Sequence, residues 1–427
     1  MPPDNTAKER EIEISMDARK DFFRAFLNFC DLPNQEAPPI YFRWVCASII
    51  GAMMGRQVYL PFGASKIYPN QYVLLMGPPA TKKGTAMKWG SRLLKKTGYS
   101  RWAPDKCSKE QFIKSMKCFD DDSPEGIAEL EALVVDAPAE SYIFAEEFVD
   151  FIGQNDTMFM MMLTKLWDNM DQYEHQKITG KDVVVSKPTV NLIGASTADT
   201  FALSFPVESL GTGFMSRILL IYAEPIGKRI SWPAVPDPLQ EEMLVEWLKE
   251  MRSIKGEMDL TVEAKKLVGD IYQNMIFIDD ERFQYYMERR HQHLLKLSMV
   301  LAISDVRKVI ATKDVIRANT MLVSAERRMS KALGEYGASK YSTAAGRILQ
   351  FLSKQVMPMN AGAIWKVVDK DLKNQIELGE VLNNLKLSEK IQWIRVRGKE
   401  GYMTRHLEVK EWKPEFVDWS WLTPQEM

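Results

Sequence analysis

The residue types and spacing best suited to chemistry lie between positions 71 and 86. Gly77-Pro78-Pro79-Ala80-Thr81-Lys82-Lys83-Gly84-Thr85 follows directly on an apolar run at 72–76. Helical spacing begins at Ala86-Met87-Lys88-Trp89 and continues through Leu93 and Leu94. A buried strand, a tight loop and a helix make the setting a phosphate-binding loop requires. The loop amides and the helix N-terminus then point at one spot, and both favour an anion such as a triphosphate. Lys83 falls where a lysine would reach the outer phosphates. The pattern G-x-x-x-x-G-K-[ST] is met at Gly77 and Lys83. Lys82 stands for the second glycine, Gly84 replaces the magnesium-binding hydroxyl, and Thr85 comes one residue late. Lys82 gives up glycine's easy access to positive φ but adds charge beside the phosphates. The plain alternative is a turn between a strand and a basic helix.

A second stretch, Ser141-Tyr142-Ile143-Phe144-Ala145-Glu146-Glu147-Phe148, ends an apolar run in paired carboxylates. Triphosphate hydrolysis needs one acid to hold Mg²⁺ through its water shell and a second to orient the attacking water. Glu146 is the expected metal-side acid, with Thr85 as the loop's contribution to the metal, and Glu147 the expected base. Val134-Val135-Asp136 is a competing placement with a single acid. The other reading of Glu146-Glu147 is an acidic helix start, which the helix dipole favours. Residues 189–197 form a further buried strand ending in Ser196 and Thr197, which could position water near the γ-phosphate. Arg217 lies between a Gly-rich loop at 211–213 and an apolar strand at 218–222. Such an arginine can enter a neighbouring subunit's site as a finger, or it can be salt-bridged locally. Residues 175–185 read as a β-hairpin with Thr179-Gly180-Lys181-Asp182 at its tip. Lys177, Lys181 and Lys187 cluster there, as a solvated surface or as a finger for nucleic-acid phosphates.

Placing these groups takes several elements. With 427 residues, two or three domains and ample core are expected. A hydrophobic content of 46% and a charged content of 26% are ordinary for a soluble globular chain. The net charge of −1 leaves nucleic-acid binding to local patches. Four scattered cysteines and four histidines offer no zinc spacing, and reduced thiols fit a cytoplasmic setting. The polar N-terminus lacks the apolar core of a signal peptide, and the most apolar stretch, 45–55, is too short to span a bilayer. Five segments are expected: a helical collar at 1–66, a nucleotide-binding α/β core at 67–232, a helical lid at 233–335, a module at 341–410, and a tail at 411–427 with three tryptophans among acids. Arg289 or Arg290 on a lid helix is a candidate second sensor of the nucleotide. In the module, three short helices and a β-pair around Gly398-Lys399-Glu400-Gly401 fit a winged helix. Lys386, Lys390, Arg395, Arg397, Lys399 and Arg405 give it a basic face suited to DNA. A tail so rich in aromatics docks on a partner or on its own chain.

From about 41 to 333 the order of motifs resembles the AAA+ helicase module of phage and plasmid replication proteins, which is similar to superfamily 3 helicases. The likeness rests on Tyr68-Pro69-Asn70 before the 73–76 strand, the 77–85 loop, Gly126 ahead of Glu146-Glu147, residues 188–197, and Gly213-Phe214-Met215-Ser216-Arg217. It implies a P-loop NTPase using ATP and Mg²⁺. It also implies a ring, usually a hexamer, whose hairpins haul single-stranded or forked DNA through a pore, with Lys181 as the pore lysine and Arg217 as the trans finger. A replication partner on the tail would belong to the same picture. The departures at Lys82, Gly84 and Glu146 leave a second implication open, a DNA-binding or loader protein that hydrolyses ATP weakly or not at all. The Gly-Pro-Pro…Lys-Gly-Thr loop also resembles that of nucleoside-monophosphate kinases, but no arginine-rich lid follows it soon.

Overall fold

The computed structural model describes residues 21–31, 33–116, 138–175, 183–206, 213–334, 336, 340–405 and 411–427. The chain divides into two compact units, one formed by Met1–Gly334 with Lys413–Met427 and the other by Glu335–Trp412.

The first unit opens with α1 (Phe22–Asp31), whose phenylalanines are buried. Next comes α2 (Pro39–Met54), with proline in its first turn and every residue from Ile40 to Met54 buried. A helix apolar on all sides must be enclosed on all sides. α2 therefore lies inside the unit instead of forming an outer collar. Short strands β1 (Val58–Phe62) and β2 (Ser65–Ile67) pair antiparallel and lead to β3 (Tyr72–Met76), which is buried along its whole length. Then follow α3 (Lys83–Lys96), α4 (Lys109–Met116), β4 (Glu140–Ala145), α5 (Phe148–Ile152) and α6 (Thr157–Trp167).

Strands β5 (Gln172–His175) and β6 (Val183–Ser186) pair antiparallel. They flank the expected hairpin tip, and Lys177 and Lys181 lie outside the described residues. So do Gly126 and the competing acid Asp136. The chain continues through β7 (Thr189–Ser196), α7 (Ala198–Ser204) and β8 (Ile218–Tyr222). β3 pairs in parallel with β7 on one side and β8 on the other, and β4 pairs in parallel with β7. The order is β4-β7-β3-β8, with a parallel bridge from Trp102 to Tyr142 on β4. The fold is thus α/β, and its two central strands, β3 and β7, are buried along their whole length, as strands enclosed on both faces are.

α8 (Pro238–Met251) starts at an Asp237 cap and packs on α1 and α3. After β9 (Gly256–Glu257), β10 (Asp259–Leu260) and α9 (Val262–Gln273) come α10 (Gln284–Ser304), β11 (Val309–Ile310) and α11 (Thr312–Leu333). α10 packs on α2, and α11 packs on β8. The residues expected as a lid thus share one compact unit with the sheet.

The tail returns to this unit. Trp421 donates its indole N–H to Asp21 (2.8 Å) and is stacked under the Arg43 guanidinium, 4.2 Å from the ring centre. Glu426 is fully buried in a two-point pair with Arg43 (2.5 and 3.0 Å). Arg327 lies over the Trp419 ring at 4.1 Å. Of the two expected docking places for the tail, a partner or its own chain, Trp419 and Trp421 take the second.

The second unit has its own core. α12 (Lys340–Ser353), α13 (Ala361–Val368) and α14 (Gln375–Leu387) bury Ile348, Leu352, Ile364, Val368, Leu378 and Leu382 together. Strands β12 (Ile391–Val396) and β13 (Lys399–Thr404) form an antiparallel pair. Met359 bridges to Tyr402 as a further strand position. Across 340–405 the unit carries twelve Lys and Arg against six Asp and Glu, so this unit is basic in a chain of net charge −1.

Candidate functional site

Strand register brings three chain segments level at the carboxyl edge of the parallel sheet. Met76 pairs with Ser196 and with Tyr222, while Ala145 pairs with Gly194. The loop after Met76, the acids after Ala145 and the end of β7 therefore emerge side by side. Two strand spacings, about 10 Å, separate β3 from β4, a gap long side chains can close. Ligands in open parallel sheets bind at this edge.

Beneath the loop, the Tyr41 hydroxyl donates to Met76 O at 2.6 Å and lies 3.2 Å from Ala223 O. A Cβ on Gly77 would stand 2.5 Å from Ala223 O and 2.6 Å from that hydroxyl, so only glycine fits. Ala80 (φ 65°) and Lys82 (φ 61°) both adopt the left-handed conformation. For residues with a Cβ this costs about 1–2 kcal/mol each. The Lys82 ammonium is paired with Glu36 at 2.7 Å. Pro78 and Pro79 stiffen the turn, and Thr81 donates its hydroxyl to Pro78 O at 2.7 Å.

Helix α3 starts at Lys83. Lys83 Nζ donates to Gly77 O (2.8 Å), Pro78 O (2.9 Å) and Thr81 Oγ1 (3.0 Å). Burial pushes its pKa down, and the negative charge of Glu147 pulls it up. The first-turn amides of Lys83, Gly84 and Thr85 have no partner within the helix. A Cβ on Gly84 would lie 2.9 Å from Glu146 Oε2. The carboxylate that follows β4 thus occupies the space beside position 84, where the loop pattern calls for a hydroxyl side chain. Glu146 also pairs with Lys88, one helical turn on, at 3.0 Å. Both acids are exposed. Lys83, Gly84, Glu146 and Glu147 are thereby brought together.

Such a constellation suits a polyphosphate and its magnesium. The glycine cradle, the helix start and the two lysines are the kinds of group that recognise phosphate oxygens. The exposed carboxylates offer oxygen ligands for a hard cation that keeps several of its waters. Among the described residues no group of three or more His, Cys, Asp or Glu forms a self-sufficient metal cage.

Other candidates sit differently. Ser196 is buried and donates to Thr197 O at 3.2 Å. Thr197 accepts from Thr200 N at 3.1 Å as the cap of α7. Both residues stand at the carboxyl edge, with their hydroxyls used locally. Lys187 is at the base of the β5–β6 pair, its amide on Asp171 O at 2.7 Å and its φ at 43°.

Arg217 precedes β8 and so lies at the amino edge of the sheet. It is 4% exposed, with Nη2 2.5 Å from Asp168 Oδ2 and Nη1 donating to Gly213 O at 2.6 Å. The expected trans finger is held inside its own chain, because burial of a guanidinium demands a local carboxylate. Arg290 requires the same correction. It is 1% exposed and paired with Glu326 (2.7 and 3.1 Å) and Asn319 (2.9 Å) between α10 and α11. Arg289 faces Asp168 at 3.5 Å and the Trp167 ring. α10 is anchored at the amino edge, where Lys296 donates to Tyr68 O (3.0 Å) and to Asn70 Oδ1. Both arginines are thus engaged within the unit, Arg290 by Glu326 and Asn319 and Arg289 by Asp168.

Sequence reasoning missed Glu36 and Tyr41. Glu36 lies in a polar turn with no motif, and Tyr41 is one aromatic in an apolar helix. Only contact with the distant loop distinguishes them. No helix among the described residues is long and apolar enough to cross a membrane. No family model matches the chain and no curated protein matches it, so the geometry of the site carries the functional reading.

Proposed function

We propose that this chain is an ATP-driven DNA motor of the AAA+ type, a ring-forming helicase or translocase with a P-loop at 77–85. The observation that carries the reading is the approach of the β4 acids to the loop helix across three parallel strands, Glu146 beside Gly84 and Lys88 and the Glu147 charge acting on Lys83. In this reading the loop amides and Lys83 bind the outer phosphates, and Lys82 adds a second positive charge. Glu146 and Thr85 are the magnesium-side groups, and Glu147 orients the attacking water. Magnesium would neutralise charge developing on the transferred phosphoryl group.

The displacement of the loop hydroxyl by Glu146 makes the departures a matched set. A longer acid from β4 reaches a position that a shorter one would share with Ser or Thr. The basic second unit, read as a winged helix, supplies DNA affinity, and Lys177, Lys181 and Lys187 supply contacts to a single strand. Replication of phage-type DNA in a cytoplasm is the setting the motif order fits.

One observation favours a second reading, a weakly hydrolysing DNA-binding or loader protein. Arg217 is tied to Asp168, so a ring would need that pair to open before a finger reached the next site. Steady-state ATP turnover with and without single-stranded DNA, together with mass measurement with and without ATP, tests the choice. DNA-stimulated turnover lost in Lys83→Ala and Glu147→Gln supports the motor. Nucleotide and DNA binding without turnover supports the loader.

A further inference from the structure

The Glu36 carboxylate joins two parts of the chain that no motif connects. Its Oε2 pairs with Lys82 Nζ at 2.7 Å in the phosphate loop. Its Oε1 accepts from the Ile230 amide at 2.6 Å. The Ile230 amide, then the Lys82 ammonium, hold the carboxyl below the usual range, with Arg229 adding a smaller effect, so it is ionised at neutral pH. Ile230 belongs to the segment 223–237 that runs from β8 to α8, where Trp232 and Val235 are 88% and 82% exposed. α8 in turn grips the far end of α3, because Glu241 pairs with Arg92 at 2.6 Å and Lys96 at 2.9 Å. The helix behind the phosphate loop is thus clasped at both ends by one stretch of chain, and Glu36 is the front clasp.

We infer that Lys82 is a second phosphate-gripping lysine, that Glu36 is its exchangeable counter-ion, and that a nucleoside triphosphate releases the 223–237 segment by taking Lys82 away from Glu36. This rests on the proposed nucleotide site and deepens it. A polyphosphate carries more charge than one carboxylate and also meets the α3 amides and Lys83, so it outcompetes Glu36 for Lys82. Glu36 is then a like charge beside the phosphates, and repulsion turns it away, taking with it the acceptor for the Ile230 amide. The β8–α8 connection loosens when nucleotide binds.

The test uses the full chain, magnesium and the slowly hydrolysed analogue ATPγS. Amide hydrogen exchange is read at Ile230 alongside nucleotide affinity by equilibrium binding. In the unaltered chain, exchange at Ile230 should speed about tenfold on saturation. Glu36→Ala should show the fast exchange without nucleotide and bind ATPγS several-fold more tightly. Lys82→Gly should bind several-fold more weakly. Tight binding with unchanged Ile230 exchange overturns the coupling while leaving the nucleotide site intact. Glu36→Ala that binds no better overturns the counter-ion role. If ATPγS fails to bind the unaltered chain, the site and this inference fall together.

Discussion

The two edges of the parallel sheet use the same kinds of side chain and treat them in opposite ways. At the carboxyl edge, Glu146 and Glu147 are exposed, Lys82 and Lys88 hold single partners, and two residues with side chains adopt left-handed backbone. At the amino edge, Arg217, Lys296 and His293 are each under 5% exposed around the Trp167 ring. Arg217 is saturated by Asp168 and Gly213, while Lys296 is held by Tyr68 and Asn70. Burial forces the amino-edge cations into fixed pairs, because a charge without a partner there is too costly. Exposure leaves the carboxyl-edge groups exchangeable, and exchangeable charge is what a ligand site requires. Charge type alone does not separate a site from a scaffold; the freedom to change partner does.

If that contrast holds, substitutions at the two edges should fail in different assays. The largest effect is expected at the buried ion pairs of the unit's interior, which share the fixed character of the amino-edge cations. Glu326→Ala strands Arg290 in the interior and should cost about 3–5 kcal/mol of stability, read from the urea midpoint. Glu426→Ala should act similarly on Arg43, although the two residues lie at opposite ends of the sequence. A loss under 1 kcal/mol in both would show that these pairs are solvated and would erase the contrast.

At the carboxyl edge, Lys83→Ala and Glu147→Gln should each lower ATP turnover by roughly 10²–10³-fold, the scale of losing one preorganised charge. Their unfolding midpoints should stay close to the unaltered chain. Parallel losses of stability and turnover would mean that the loop is structural.

A third effect separates the edges by pH. Burial, opposed by the Ser216 carbonyl, pushes the His293 imidazole down to about 3. The unfolded chain takes up that proton near pH 6.5 and the folded chain only near pH 3. Between these values the unfolded form binds more protons, so stability drains as pH falls through the window, at up to about 1.4 kcal/mol per unit. Comparing the urea midpoints of the unaltered chain and His293→Gln across pH 3–7 isolates this contribution, and the variant's curve should be flatter. Lys296 is shifted the same way, to about 7, chiefly by burial. Its contribution rises with pH from about 7 towards the ordinary lysine range.

The smallest expected effect concerns the basic second unit. If it meets single-stranded DNA, each lysine removed from its surface should flatten the log–log salt dependence of binding by about 0.7. Lys399→Ala is the simplest trial. An affinity that ignores salt would reassign this unit to protein contacts.

The strand–loop–helix at 72–96 was legible because a short apolar run followed by Gly-Pro-Pro permits few conformations, and because helical spacing resumes directly afterwards. The acid pair after β4 was legible for the same reason. The three helices and the antiparallel pair of the second unit followed from periodicity, since their contacts are local. Legibility stopped where a partner lies far along the chain. Arg217 looked available because Asp168, 49 residues earlier, carries no motif. That the tail docks was legible, but not where, because Arg43 and Asp21 are almost the whole chain away. Residues 1–66 were expected as a helical collar, but the uniform apolarity of α2 marks burial without saying what encloses it, and this hid its place inside the sheet unit.

Local spacing by itself determined which segments are buried strands, which turn is rich in glycine and proline, and where acids end a strand, because each is a property of a few neighbouring residues. Only the tertiary structure decided which charges are spent and which are available. Register set Glu146 against Gly84, packing enclosed Arg290 with Glu326, and Glu36 came to hold both Lys82 and Ile230. Pairing and burial depend on what the rest of the chain delivers to a point in space, and no window of sequence contains that information.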